Sequence, residues 1–277
     1  MELKDKVAII TGSARGIGAG IALAFAREGA KVVVNGLTVQ SCDDTVKQIE
    51  AAGGKTIACA ADVSKYADQV AMVEAAIKAF GTVDVLVNNA GIESTPCLVQ
   101  DMSEEQWDRV LGINLKGVFL GIKAVLPTMI AKTYGRIINI SSTAGLRMTF
   151  FGSVDYTVSK HGVTGLTNHL AWELADHNIT VNTICPGGVL TPLMEQGTTP
   201  EFRQMVSKRL IPLGRMCSPD EIGQAAVFFA SDRANMVTGQ FLAVDGGLMT
   251  GFGEDLRPMV RKRMEEAQEK AHAVAAH

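Results

Sequence analysis

Residues 7–18 read Val-Ala-Ile-Ile-Thr-Gly-Ser-Ala-Arg-Gly-Ile-Gly, a short apolar run that leads straight into three glycines. The apolar run predicts a buried strand, and the pattern of Ile17–Glu28 predicts a helix that begins in the glycine turn. Glycines allow a tight turn, let backbone amides approach a pyrophosphate, and let helix and strand pack closely. Such turns also form for purely steric reasons. A strand, this turn and a helix in succession nevertheless favour a nucleotide site, because the helix N-terminus adds partial positive charge there.

The alternation of strand and helix continues through most of the chain. The predicted strands are mostly unbroken apolar runs, typical of parallel strands buried on both faces. They are Val7–Thr11, Lys31–Asn35, Thr56–Ala60, Val83–Asn88, Arg136–Ser141, Thr180–Cys185 and Phe241–Val244. The predicted helices are Ile17–Glu28, Val39–Ala52, Tyr66–Phe80, Ser103–Ile130, Asp155–Asp176 and Pro219–Ala230. Right-handed crossovers then give an α/β fold, a single Rossmann-type doubly wound sheet of seven mainly parallel strands with helices on both faces.

Composition limits the classes of partner. The chain is 47% hydrophobic and 20% charged, which suits one globular domain with a large core. Its formal net charge of −3 includes no basic block, so we expect no nucleic-acid partner. The charged start lacks the features of a secretory signal, and no uncharged apolar run reaches the ~18–20 residues that cross a bilayer. We expect a cytoplasmic protein that binds small molecules and no membrane.

The cysteines and histidines give no sign of disulfides or of a metal site. Five cysteines lie far apart without paired spacing, which predicts reduced core thiols; they are Cys42, Cys59, Cys97, Cys185 and Cys217. The histidines form no metal-ligand spacing with nearby acids, so no metal is expected.

The C-terminal segment differs from the rest of the chain. From Glu254 to His277 it is charged and rich in alanine, with a narrow apolar stripe at helical spacing. Such a helix either packs on a partner surface, such as another subunit, or remains solvated. We therefore divide the chain into a dinucleotide-binding and catalytic domain, residues 1–253, and a charged helical extension, residues 254–277.

Several further motifs follow in a fixed order along the chain. Beyond the three-residue gap between Gly12 and Gly16, they are Asn88-Asn89-Ala90-Gly91, Tyr156-x-x-x-Lys160, Pro186-Gly187 and Val244-Asp245-Gly246-Gly247. Over roughly residues 5–250 the chain thus resembles the short-chain dehydrogenase/reductase family. The resemblance extends to the subgroup that contains 3-oxoacyl-carrier-protein reductases and many small alcohol and sugar dehydrogenases.

The resemblance implies an NAD(P)-dependent oxidoreductase that interconverts a secondary alcohol and a ketone, or a 3-oxoacyl group, by hydride transfer. Tyr156 and Lys160 lie one helical turn apart, and a neighbouring ammonium stabilises a phenolate, so Tyr156 is the predicted acid/base. Ser142 is predicted to hold the substrate oxygen, with Ser141 as the alternative. Asn114 is predicted to hold a water that leads to the lysine, or to be a buried amide that bridges helix turns.

The resemblance also implies a set of cofactor contacts. They are Gly12, Ser13, Arg15, Gly16, Ile17, Gly18, Asp62, Val63, Asn89, Ala90, Gly91, Tyr156, Lys160, Pro186, Gly187, Val189 and Thr191. NAD-preferring members carry an acid at the end of the second strand, where this chain has Asn35-Gly36-Leu37-Thr38. Arg15, in the glycine turn, is suited to a 2′-phosphate. The sequence therefore favours NADP, with NAD as the alternative.

The sequence indicates the substrate pocket and the assembly of subunits less clearly. The pocket is expected from the loops Ile92–Cys97, Leu146–Phe151 and Leu190–Leu213. Its apolar lining would consist of Phe150, Phe151, Leu193 and Met194; alternatively, these residues only pack the lid. Glu93 and Arg147 are candidates for polar recognition.

The family pairs its two long helices across subunits, so the resemblance implies a homo-oligomer, a dimer of dimers. Two other functions stay open. One is a non-catalytic cofactor-binding regulator or scaffold of the same fold, and the other is enoyl reduction or epimerisation.

Overall fold

The computed structural model describes residues 1–93, 97–148, 152–251 and 262, without the side chains of residues 193 and 197. Seven strands form one sheet in the order β3-β2-β1-β4-β5-β6-β7, and every neighbouring pair is parallel. The strands are β1 Val7–Ile10, β2 Lys31–Gly36, β3 Lys55–Ala60, β4 Val85–Asn88, β5 Gly135–Ile140, β6 Ile179–Pro186 and β7 Phe241–Val244. All seven predicted strands and the doubly wound sheet are confirmed. The order reverses between β1 and β4, where such sheets open a crevice at the carboxyl ends of the strands.

Helices cover both faces of the sheet. They are α1 Gly16–Arg27, α2 Asp43–Ala51, α3 Tyr66–Phe80, α4 Glu104–Leu111, α5 Gly117–Ala131, α6 Val154–Glu173, α7 Pro192–Gly197, α8 Pro200–Leu210 and α9 Pro219–Ala230. Local signals set several ends. The Ser103 hydroxyl accepts a hydrogen bond from the Gln106 backbone amide, and Ser218 and Glu221 form a capping box.

Two features of the helices differ from the sequence prediction. The expected helix Ser103–Ile130 is interrupted by a π-helical segment, Gly112–Lys116, between α4 and α5. Helices α7 and α8 occupy the stretch Leu190–Leu213 that we expected to be loop. Both begin at a threonine N-cap followed by proline, a start signal that the sequence carried.

Two apolar layers hold the sheet between the helices. Successive side chains of a strand point to opposite faces, so Ile9 and Ile10 belong to different layers. Ile10 packs with Phe25 of α1, in the layer that α9 completes. Ile9 packs with Met72 of α3 and Val125 of α5. The five inner strands are thus buried on both faces, whereas the edge strands β3 and β7 stay partly exposed.

The run Glu104–Ala131 meets the length and composition of a membrane span, with a mean hydropathy of 1.5, although Lys116 and Lys123 interrupt it, so it is not an uncharged run. Half of its apolar window is buried within the fold, where Val118, Ile122 and Val125 pack in the layer below the sheet. A core helix meets the same criterion, so this run is weak evidence for a membrane.

The remaining sequence predictions are tested only in part. The extension of residues 254–277 lies outside the described residues except for Lys262, so the division into two parts stays a prediction. All five cysteines are free; Cys59 and Cys97 are half-buried rather than core residues. Across residues 1–93, 97–148 and 152–251 no group of three or more His, Cys, Asp or Glu side chains is arranged to hold a metal.

Candidate active site

The glycine turn after β1 is organised by Asn35, a residue whose part in the turn the sequence analysis missed. The Gly12 amide donates to Asn35 Oδ1 at 2.9 Å, and the Ser13 amide donates to the Asn35 carbonyl oxygen, also at 2.9 Å. Asn35 Nδ2 in turn donates to carbonyl oxygens at the end of β3 and just beyond it. Asn35 is therefore fully engaged in fixing the turn.

The turn leaves the N-terminus of α1 open. Gly12 and Gly16 adopt φ of +61° and +60°, which favours glycine. Arg15, the residue before the helix, is exposed and makes no side-chain cap. The first amides of α1 therefore receive no side-chain acceptor from their N-cap. They remain available to donate hydrogen bonds to a phosphate, which the pyrophosphate of a dinucleotide needs.

The turn after β4 is tied to the glycine turn. The amides of Asn89 and Ala90 donate to Thr11 Oγ1 at 2.9 and 3.0 Å, and Asn89 Nδ2 donates to the carbonyl oxygens of Thr11 and Gly12. A Cβ on Gly12 would lie 2.8 Å from Ala90 Cα. The two predicted cofactor segments thus form one continuous surface.

The predicted adenine neighbours lie beyond the carboxyl end of β3. The Asp62 carboxylate accepts from the Ser64 amide and hydroxyl at 3.0 and 2.7 Å, and these bonds hold the pKa of Asp62 below its usual value. Val63 is buried, and a Cβ on Gly117 would lie 3.2 Å from its side chain. The local turn therefore occupies Asp62, and an adenine contact stays a prediction.

The segment after β6 approaches the same crevice. The Gly187 amide donates to the carbonyl oxygen of Val244, and Val189 pairs with Cys217. Thr191 caps α7 and would lie 3.6 Å from a Cβ on Gly16, so this segment meets the start of α1. Pro186, the last residue of β6, and the following residues are thereby brought beside the glycine turn.

Tyr156 and Lys160 lie together on α6. The Lys160 ammonium is 5.5 Å from the centroid of the Tyr156 ring and donates to the Ile140 carbonyl oxygen at 3.0 Å. Burial lowers the pKa of Lys160 to about 8, although Cys185 and Glu93 oppose that shift. Burial also raises the pKa of Tyr156 to about 12, with a contribution from Glu93 in the same direction. Without a cofactor, the phenol therefore keeps its proton at neutral pH.

The two serines after β5 have different surroundings. Ser142 accepts a hydrogen bond from the Ala144 amide at 3.1 Å, and its hydroxyl lowers the pKa of the Tyr156 phenol. The buried Ser141 hydroxyl instead donates to the Lys160 carbonyl oxygen at 2.9 Å. Ser142 is therefore the hydroxyl beside the phenol, while Ser141 ties the strand to α6.

Asn114 lies in the π-helical segment and is buried. Its Nδ2 donates to the Ile92 carbonyl oxygen at 2.9 Å, and its Oδ1 accepts from the Ile92 amide at 2.8 Å. Nδ2 also donates to Ser159 Oγ on α6 at 3.2 Å. Asn114 therefore links the segment after β4 to α6 rather than turns of its own helix, and the predicted water toward Lys160 stays a prediction.

The expected substrate loops are described only in part. Residues 94–96 and 149–151, and with them Phe150 and Phe151, lie outside the described residues, as does the side chain of Leu193. Met194 packs against the small apolar cluster of α8, which fits the alternative of a packed lid. Arg147 donates to the Leu248 carbonyl oxygen at 3.0 Å.

Comparison with known proteins extends over most of the chain. A family model described as enoyl-(acyl carrier protein) reductase matches residues 12–249. The chain is 42% identical over 249 residues to a 3-oxoacyl-[acyl-carrier-protein] reductase of Thermotoga maritima, covering 90% of this chain and 100% of that relative. It is 38% identical over 245 residues to a cyclohexanol dehydrogenase of an Acinetobacter species, covering 88% and 95%.

The solved structures agree with the relatives. The crystal structure of levodione reductase superimposes with a TM-score of 0.86 at 31% identity, covering 90% of this chain and 100% of the other. These similarities extend over the residues that form the crevice. The chain therefore belongs to the short-chain dehydrogenase/reductase family, as an oxidoreductase that interconverts alcohols and ketones with a nicotinamide cofactor, NAD(P).

Proposed function

We propose that Tyr156 is the acid/base of this alcohol and ketone interconversion, that Ser142 holds the substrate oxygen, and that Lys160 stabilises the phenolate. One observation carries the proposal. The Ser142 hydroxyl lowers the pKa of the Tyr156 phenol, and the buried Lys160 ammonium lies 5.5 Å from the centroid of the Tyr156 ring. Three groups of different chemistry thus converge on the place where a carbonyl oxygen can bind.

In reduction, the Tyr156 hydroxyl donates its proton to the substrate oxygen while the Ser142 hydroxyl donates a hydrogen bond to the same oxygen. The Lys160 ammonium, held by the Ile140 carbonyl oxygen, stabilises the phenolate that remains. In oxidation, the phenolate takes the proton back from the alcohol. When bound, the nicotinamide supplies or accepts the hydride. The glycine turn, the Asn89–Gly91 turn and Thr191 are the residues that would hold it.

A substrate panel tests the proposal. We expect reduced cofactor to form with at least one of cyclohexanol, a 3-hydroxyacyl thioester and a 3β-hydroxysteroid, classes taken from the names of relatives. The readout is absorbance of the reduced nicotinamide. A protein that binds cofactor but turns over none of them would support the regulator alternative. The four-residue spacing of Tyr156 and Lys160 favours carbonyl chemistry over enoyl reduction.

We further propose NADP as the preferred cofactor. The supporting features are the exposed Arg15 beside the glycine turn and the absence of an acid between Asn35 and Thr38. We expect kcat/KM to be higher with NADPH than with NADH. Arg15→Ala should lower kcat/KM with NADPH by about tenfold or more, because a hydrogen bond to a charged group contributes ~1.5–3 kcal/mol.

The value with NADH is the internal control for Arg15→Ala and should change little. A wild-type preference for NADH that the substitution leaves unchanged would contradict the assignment of Arg15.

We also propose a cytoplasmic homotetramer, a dimer of dimers that pairs α5 and α6 across subunits. A groove lined by α4, the π-helical segment, α5 and α6 supports the pairing; its apolar side chains include Leu111, Leu115, Phe119 and Leu166. Phe119 is 46% exposed in the single chain, a large apolar surface that a second copy would cover.

A further inference from the structure

Glu93 lies in the segment that follows β4 and passes over the catalytic lysine. A Cβ on Gly91, two residues earlier, would lie 3.6 Å from Lys160 Nζ and 3.3 Å from Asn114 Oδ1. Glu93 is exposed as a residue while its carboxyl is partly desolvated, so it belongs to the margin of the protein rather than to the core.

The backbone that carries Glu93 is held in place. Asn114 binds both the amide and the carbonyl oxygen of Ile92, and it also donates to Ser159 on α6, the helix of Tyr156. The residue just before Glu93 is therefore fixed relative to the catalytic helix, and this fixes the starting point of the Glu93 side chain.

The negative charge of Glu93 acts on Tyr156 and Lys160. It raises the pKa of Tyr156 and of Lys160, each together with a larger effect of burial. Partial burial raises the pKa of Glu93, and the Lys160 ammonium opposes this. The buried Cys185 thiol of β6 also acts on Lys160. In the described part of the chain, Glu93 is the one carboxylate that acts on both Tyr156 and Lys160.

We propose that Glu93 is a specificity-determining residue whose carboxylate favours alcohols bearing an ammonium or a second hydroxyl and disfavours alcohols bearing a carboxylate. The inference rests on the proposed function, since it assumes that the substrate oxygen lies at Tyr156 and Ser142. A substrate bound there extends past Glu93 toward solvent. At the margin of the crevice water screens charges only in part, so like charges repel and a hydrogen-bond donor is attracted, and one fixed charge discriminates between substrates of equal size.

The test uses three probes of similar shape: cyclohexanol, an aminocyclohexanol and a hydroxycyclohexanecarboxylate. In mildly alkaline buffer the wild-type protein should give the highest kcat/KM for the amine and the lowest for the carboxylate. Glu93→Gln removes the charge and nearly keeps the shape. It should lower the ratio of amine to carboxylate by about tenfold or more, with a smaller change for cyclohexanol.

Two control variants separate position from net charge. Glu93→Asp keeps the charge and should retain a preference for the amine. Glu104→Gln removes a charge from the exposed first turn of α4 and should leave the ratio as in the wild type. If Glu93→Gln leaves the ratio unchanged while cyclohexanol is turned over, the inference is wrong and the proposed function stands.

A second measurement needs neither substrate nor cofactor. The chain has three tyrosines, so subtraction of a Tyr156→Phe protein isolates the phenolate absorbance of Tyr156 after a rapid pH jump. Removing the negative charge should move phenolate formation in Glu93→Gln to lower pH, by on the order of half a unit. If phenolate formation does not shift in Glu93→Gln, the inference is wrong, even if every probe fails as a substrate. Failure of every probe would count against the proposed function alone.

Discussion

Replacing Tyr156 by phenylalanine is expected to lower kcat, for both ketone reduction and alcohol oxidation, by ~10²-fold or more. The substitution removes the proton that passes to and from the substrate oxygen, and general acid/base catalysis contributes on this scale. The ring itself stays, and with it the packing near Gly152, whose Cβ would lie 3.0 Å from the Tyr156 ring. Steady-state rates at saturating cofactor measure the effect.

Two controls accompany this substitution. The melting temperature and the cofactor dissociation constant should remain close to those of the wild type, because Lys160 keeps its bond to the Ile140 carbonyl oxygen. A large loss of kcat without a loss of stability then locates the defect in proton transfer. Near wild-type turnover would mean that another group moves the proton.

Gly18→Ala is expected to reduce cofactor affinity by tenfold or more and to destabilise the fold. An added Cβ would lie 2.4 Å from the Gly12 carbonyl oxygen, 2.5 Å from Asn89 Nδ2 and 2.8 Å from Ser13 Cα. Two of these atoms belong to the backbone of the glycine turn, so the turn itself must move. Overpacking of this kind costs ~1–3 kcal/mol. Calorimetric titration with NADPH and a thermal melt measure the two effects.

Gly165→Ala provides a matched substitution on α6. Gly165 is exposed, and apart from its own helix backbone no heavy atom of the described residues lies within 4 Å of the Cβ that alanine would add. Its melting temperature should stay equal or rise slightly, because alanine is favoured over glycine in a helix by about 1 kcal/mol. A Gly18→Ala protein that behaves like Gly165→Ala would contradict the close packing of the turn.

Much of the fold was readable because the inner strands are buried on both faces. The run Val32–Val34, for example, is apolar throughout, as expected when no residue of a strand meets water. Helices α7 and α8 were missed because they are short and pack on each other rather than on the sheet. The π-helical segment was missed because α4, the helix before it, has only eight residues, too few for the change of phase to stand out in the apolar pattern.

Some residues of the candidate site were likewise predictable from the sequence, and others were not. Tyr156 and Lys160 were predictable because their relation depends on local spacing along one helix. The part played by Asn35 was not, since it depends on contacts with residues 12, 59 and 61, which are distant in sequence. The effect of Glu93 on Tyr156 is likewise a matter of the folded chain, because their separation in sequence gives no hint of it.

The π-helical segment Gly112–Lys116 also restricts which insertions and deletions this helix can accept. A wide turn of this kind is equivalent to one inserted residue, and one residue rotates everything that follows by about 100° around the helix axis. Deleting a residue there would turn Val118, Ile122 and Val125 away from the sheet while leaving α4 in place. An insertion or deletion is therefore better placed after Ala131, where α5 has ended.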